Sequence, residues 1–274
     1  MTSSQGSIGY EKRGKVALFT IQNDKVNALT PAMHKQFYDL MQDFTADREV
    51  HVGILTGAGE RAFCAGDDIK NDWGHGSMAE TLDAHFWPSR PEDADARPGW
   101  ERELKTIERY KPIIAAINGA AMGMGLIYLL NHTDLRISVP GALLGFPEVA
   151  YGMGGAGGTT QLCRHLPQAV ALWMLLTGEP LTAEDALKHD LINEIVPRER
   201  LLERAFEVAE VIAGHPPIAV RVEMEVVKRA MDLPRQEAIN LSMHLYRLQR
   251  AAYLAQPGTT AAPLAKAAPG KAEG

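Results

Sequence analysis

One carboxylate, Glu148, stands between two glycine-rich turns, and this is the strongest chemical signal in the chain. Upstream, the apolar run Ala115-Ala116-Ile117 leads into Asn118-Gly119-Ala120-Ala121-Met122-Gly123-Met124-Gly125. Downstream, Gly145-Phe146-Pro147-Glu148 is followed by Gly152-Met153-Gly154-Gly155-Ala156-Gly157-Gly158. Glycine lets the backbone approach a ligand closely, and the first turn of a helix leaves N–H groups without intrahelical partners. Main-chain donors bracketing one acid suit a site that holds negative charge while the carboxylate moves a proton. The competing explanation is that the glycines serve only tight packing.

Other chemistries find less support. Residues 152–157 match G-x-G-x-x-G, and Glu179 lies about 20 residues further on, but the strand that a dinucleotide fold requires before the turn is missing. The patterns G-x-x-x-x-G-K-[ST], H-E-x-x-H and G-x-S-x-G do not occur. Cys64 and Cys163 are too few for a disulfide framework and have no metal-ligand spacing, so no metal site is expected.

Further motifs extend the signal. Phe63-Cys64-Ala65-Gly66-Asp67-Asp68-Ile69 follows the apolar run Val52-Gly53-Ile54-Leu55-Thr56. Asp24-Lys25-Val26-Asn27-Ala28-Leu29 lies near the start, with Leu175-Leu176-Thr177-Gly178 and Ala183-Glu184-Asp185-Ala186 later. In this order and spacing, from about Lys15 to about Leu233, the chain resembles the crotonase (enoyl-CoA hydratase/isomerase) superfamily.

That resemblance implies an α/β fold, a spiral of β-β-α turns with a C-terminal helical trimerisation region. It also implies an acyl-CoA thioester as substrate, with coenzyme A carried by the substrate and no further cofactor. The thioester oxygen would be held by the backbone N–H groups of Asp67 and Met124. Lys25, Arg61, Ala65, Asp68 and Ile69 would bind the substrate, with Ile127 and Tyr151 lining the acyl site. Lys228 and its neighbours could reach a 3′-phosphate. The assembly implied is a homotrimer or a dimer of trimers.

Hydratases of this superfamily use two glutamates. The second matches Glu148; the first falls on Ile127, which can neither accept nor donate a proton. From Glu148 to Ala156 the loop is also one residue shorter than the usual pattern. Asp68, Asp72, His75, Tyr128, His132 and Tyr151 are the groups that could replace the lost acid, although His132 reads more simply as a surface histidine. One glutamate fits an isomerase. Hydration, hydrolytic C–C cleavage of a β-diketone and non-catalytic acyl-CoA binding are the other outcomes of such a site.

The elements that must position these groups are partly visible. Val16 to Ile21, Ile113 to Ile117 and Asp134 to Ser138 read as strands. Met33, Phe37, Leu40, Met41 and Phe44 recur at helical spacing after Thr30-Pro31, a plausible N-cap and first helical residue. The segment 72–99 is aperiodic and reads as a long loop beside the site, and its tryptophans and Phe86 suggest an acyl-pocket wall. A helix is expected over Trp100–Tyr110, another near 122–131, and six more between 155 and 254.

The division expected is a spiral core over 1–198 holding the acyl-CoA site, a helical region over 199–256, and a mobile tail over 257–274. A net charge of −6 without basic runs argues against nucleic acid as partner. No apolar run approaches the roughly 20 residues of a membrane span, so no membrane is expected. A reducing cytoplasm fits the cysteine usage.

Overall fold

Apolar runs of the first half become buried strands, and the periodic stretches between and after them become helices. The computed structural model describes residues 6–70, 77–97, 99–155 and 158–255. The first part holds β1 (Ser7–Arg13), β2 (Val16–Gln22), α1 (Pro31–Ala46), β3 (Val52–Gly57), β4 (Ala62–Cys64), α2 (Met78–Ala84) and α3 (Trp100–Leu104). Then come β5 (Ile113–Ile117), β6 (Ala120–Met122), α4 (Met124–His132), β7 (Leu135–Ser138) and β8 (Leu143–Gly145). Next are α5 (Thr159–His165), α6 (Gln168–Thr177), β9 (Leu181–Thr182), α7 (Ala183–Lys188) and β10 (Glu194–Ile195). The chain continues through α8 (Leu201–Ala213), α9 (Pro217–Ala230) and α10 (Arg235–Leu254).

The larger sheet has the order β1-β2-β3-β5-β7-β10, and a smaller one runs β4-β6-β8-β9. From β2 to β10 neighbours in the larger sheet are parallel, and only β1 pairs antiparallel. A parallel sheet is covered on both faces and needs apolar residues at every position; β3 and β5 are buried throughout. Each long strand is followed by a short one in the other sheet (β3 by β4, β5 by β6, β7 by β8). This is the expected α/β winding, and it brings the chain repeatedly to the junction between the sheets.

Thr30 caps α1 by accepting the Met33 N–H, a bond typically worth ~1 kcal/mol. The helix then buries Met33, His34, Phe37, Met41 and Phe44, and Phe19 of β2 meets Phe37 and Phe44 edge-on. Within 72–99, Ser77 and Glu80 form a capping box that starts α2. α3 ends at Leu104 rather than near Tyr110. The N–H groups of Lys105, Thr106 and Ile107 bond three residues back, and the Thr106 hydroxyl takes the Glu103 carbonyl, so the helix tightens and stops.

The chain divides into two compact units, Met1–His215 and Pro216–Gly274. The helix α8 therefore belongs to the first unit, whereas the reading from sequence began the helical region at 199. In the second unit α9 and α10 carry no fully buried residue and expose Val227, Met243 and Tyr246, and Met231 just after α9 is exposed as well. The proposed tail, 257–274, lies outside the described residues. No helix among the described residues is long and apolar enough to cross a membrane.

Candidate active site

Two glycines with positive φ bring the loop after β4 against the start of α4, while a Cβ built on Gly152, Gly154 or Gly155 of the downstream glycine-rich turn would meet no neighbouring atom. Gly66 (φ +97) ends the loop after β4, and Gly123 (φ +53) opens α4. A Cβ built on Gly66 would lie 3.4 Å from the Met124 nitrogen and 3.7 Å from Gly123 Cα. One built on Gly123 would lie only 2.8 Å from Glu148 Oε1. Hydrogen at both positions is thus a steric requirement for this approach.

Backbone pairing leaves the two candidate donors free. Leu29 N–H donates to Gly66 O and Asp68 N–H to Leu29 O, both at 2.8 Å, so this parallel bridge passes over the Asp67 N–H. Met124 is the first residue of α4, ahead of the helical ladder. Among the described residues neither N–H has a hydrogen-bond partner.

Glu148 lies in a short 3-10 turn, Pro147–Tyr151, that ends on Gly152 in the left-handed conformation. Its Oε2 is buried without a hydrogen-bond partner among the described residues. Burial pushes the carboxyl above its ordinary value; its own backbone N–H opposes the shift, and the negative charge of Asp67 adds to it. An acid raised in this way can exchange protons closer to neutrality.

The Asp67 carboxylate has partners that its sequence motif does not announce. His34 Nε2 lies 3.0 Å from Asp67 Oδ1, and His34 Nδ1 lies 2.8 Å from the Tyr128 hydroxyl. Arg97 Nη1 stands 3.8 Å from Asp67 Oδ2, while Arg97 Nη2 donates to Asp68 O. Burial alone would raise Asp67. The hydrogen bond and charge of His34, with the charges of Arg97 and Lys105, outweigh it and hold the carboxyl below its ordinary value. Beside it, burial pushes the Cys64 thiol up to about 12, which makes it a poor nucleophile.

The remaining sequence candidates divide clearly. Ile127 is buried in the first turns of α4, and Met124 is nearly so. Tyr128 is also fully buried, its hydroxyl committed to His34. His132 is not a surface residue: it is 1% exposed and meets Phe37 and Tyr128 edge-on, because position i+4 from Tyr128 falls on the same face of α4. Tyr151 and Ile69 are exposed, as are Lys25, Arg61 and Ala65, and Asp68 is buried. Lys25 and Arg61 line one cavity of about 390 Å³. Asp72, Trp73 and His75 lie outside the described residues.

Two motif residues turn out to support backbone. Asn27 donates to the carbonyls of Ala58 and Ala62, and Asn118 to those of Gly59 and Ala62. Of the segment beyond Ser77, Phe86 is 83% exposed, and the charged Arg97 is what reaches Asp67 and Asp68. A cavity of about 650 Å³ has both Trp87 and Arg97 in its wall. Among the described residues no cluster of His, Cys, Asp and Glu could hold a metal ion.

His34 and Arg97 were not legible as site residues. The available signal for His34 was a histidine interrupting the apolar stripe of α1; Arg97 had none.

Residues 11–260 match the enoyl-CoA hydratase/isomerase family. The chain is 34% identical over 242 residues to (E)-benzylidenesuccinyl-CoA hydratase of Thauera aromatica, covering 88% of this chain and 89% of that one. It is 34% identical to the short-chain-enoyl-CoA hydratase of Clostridium acetobutylicum, covering 81% and 80%. The crystal structure of an enoyl-CoA hydratase from Bacillus anthracis superposes with a TM-score of 0.76 at 29% identity, covering 88% and 89%. The chain belongs to the enoyl-CoA hydratase/isomerase family of the crotonase superfamily.

Proposed function

We propose that this enzyme binds an acyl-CoA thioester, receives the thioester oxygen on the N–H groups of Asp67 and Met124, and moves protons at the adjacent carbon with Glu148. One observation carries the reading: two unpartnered N–H groups and a carboxylate oxygen without a partner surround the same pair of glycines. Two aligned donors stabilise an enolate oxygen where water is excluded. Glu148, raised by burial, then delivers or removes the proton on carbon.

Likeness to hydratases favours water addition to, or loss from, a carbon–carbon double bond. The buried Ile127 stands where the resemblance puts the first glutamate of that reaction, so another group must orient the water. Lys25 and Arg61, in one cavity, are placed to meet coenzyme A phosphates. No cofactor beyond the substrate's own coenzyme A enters this chemistry. Assembly into trimers belongs to the same proposal, and the uncovered apolar side chains of α9 and α10 support it.

Incubation with straight-chain, branched and aromatic enoyl-CoAs, followed by product mass, tests the reaction. We expect a gain of one water on at least one thioester. An unchanged mass with shifted absorbance means isomerisation instead, and no conversion of any thioester would defeat the enzymatic reading.

A further inference from the structure

The buried chain of side chains Tyr128–His34–Asp67 joins the hydrophobic core to an oxyanion donor, and the reading above uses only the Asp67 N–H of it. Tyr128 and His34 are each 1% exposed, an expensive place for a hydroxyl and an imidazole unless they are bonded. They are bonded to one another and, through His34 Nε2, to Asp67 Oδ1. A ring nitrogen facing an ionised carboxylate must donate, so Nε2 carries a proton and Nδ1 is left to the Tyr128 hydroxyl. Phe37 stacks on Tyr128 at 4.8 Å between ring centres, which fixes the ring that fixes His34.

Three elements thus hold one side chain. The helix α1 supplies His34, α4 supplies Tyr128, and Arg97, three residues ahead of α3, approaches the other oxygen of Asp67. The same Asp67 contributes the backbone N–H beside Gly66, against Gly123 and Met124. Its charge is also felt at Glu148.

We propose that His34, braced by Tyr128, is a positioning residue for the reaction: by holding the Asp67 carboxylate it aligns the Asp67 N–H and places a fixed negative charge beside Glu148. This rests on the acyl-CoA reading and extends it. The residue at position 67 then acts through both its backbone and its side chain, and Arg97 keeps its charge from opposing the oxyanion. Among the described residues the charges bearing on Asp67 are His34, Arg97 and Lys105. Those bearing on Tyr128 are Asp67 and Glu101, with the Cys64 thiol beside it, and Glu148 feels Asp67.

The test uses the full-length enzyme and the best thioester of the panel. The limb of the kcat/KM pH profile that disappears in Glu148→Gln reports Glu148. Asp67→Asn keeps the shape and the N–H but removes the charge, so this limb should move to lower pH by about half a unit to one unit. His34→Phe should lower kcat about tenfold or more with KM nearly unchanged, and His34→Gln, which retains a donor, should recover part of the loss. A merely structural histidine would lower the melting temperature and leave the limb where it is.

An unmoved limb in Asp67→Asn, or equal kcat in the Phe and Gln variants, overturns the positioning role while leaving the acyl-CoA reading intact. Failure of the wild type to convert any thioester removes that reading instead. In that event ¹⁵N spectra of the histidines, with His34 identified by its loss in His34→Gln, still decide the chain: an unprotonated Nε2 overturns it.

Discussion

Glu148→Gln is expected to convert its thioester ~10²–10⁴ times more slowly than the wild type, the usual worth of a positioned acid or base. The amide keeps the size and planarity of the carboxyl but cannot carry the proton. Glu148 Oε2 has no hydrogen-bond partner among the described residues, so no network is broken and the fold should survive. Stopped-flow or steady-state absorbance at the enoyl thioester band measures the loss, and calorimetric titration with a saturated acyl-CoA measures binding. Affinity should stay within a few-fold. Full activity in this variant would remove Glu148 from the chemistry.

Gly123→Ala should have an effect of similar size for a different reason. The new methyl would lie 2.8 Å from Glu148 Oε1, and Gly123 has φ +53 with ψ −124, a mirror-β conformation that glycine adopts freely and an L side chain only at ~1–3 kcal/mol. Relief requires rotation at the start of α4, which turns the Met124 N–H away, or displacement of the Glu148 carboxyl. Loss of one oxyanion donor typically costs ~10²–10³ in kcat. Gly141→Ala is the control, since Gly141 has φ +75 and no atom within 4 Å of a built Cβ. Gly141→Ala should keep its turnover, whereas Gly123→Ala, which adds a clash to the strain, should lose turnover even well below its own melting temperature. Equal activity in both would mean that the glycine turn serves the fold alone.

Legibility in the sequence followed the length and periodicity of each element. The helix α1 was readable because Thr30, Pro31 and the stripe Met33-Phe37-Met41-Phe44 all agree. The strands β4, β6, β8 and β9 are two or three residues long, too short for a period to register. The strand β1 ends in three charged residues, Glu11, Lys12 and Arg13, and sits at a sheet edge, where polar residues are tolerated.

The site divides the same way. Asp67, Met124 and Glu148 were assigned through the family resemblance of their motifs, and those motifs are short and local. The His34–Asp67 contact spans 33 residues of sequence and depends on how the start of α1 sits against the loop after β4, which no local pattern records. His132 was misread as exposed for a related reason. Its burial follows from α4 being apolar on nearly every side, with Met124 through Leu130 all buried.

Proton exchange on carbon is the most direct probe of the central claim. A saturated acyl-CoA incubated in deuterium oxide with wild-type enzyme should gain deuterium at the carbon next to the thioester, as read by mass and proton resonance. The same incubation with Glu148→Gln should show exchange no faster than the solvent reaction. Equal exchange with both proteins, or none with the wild type on a thioester that it binds, would contradict proton transfer by Glu148.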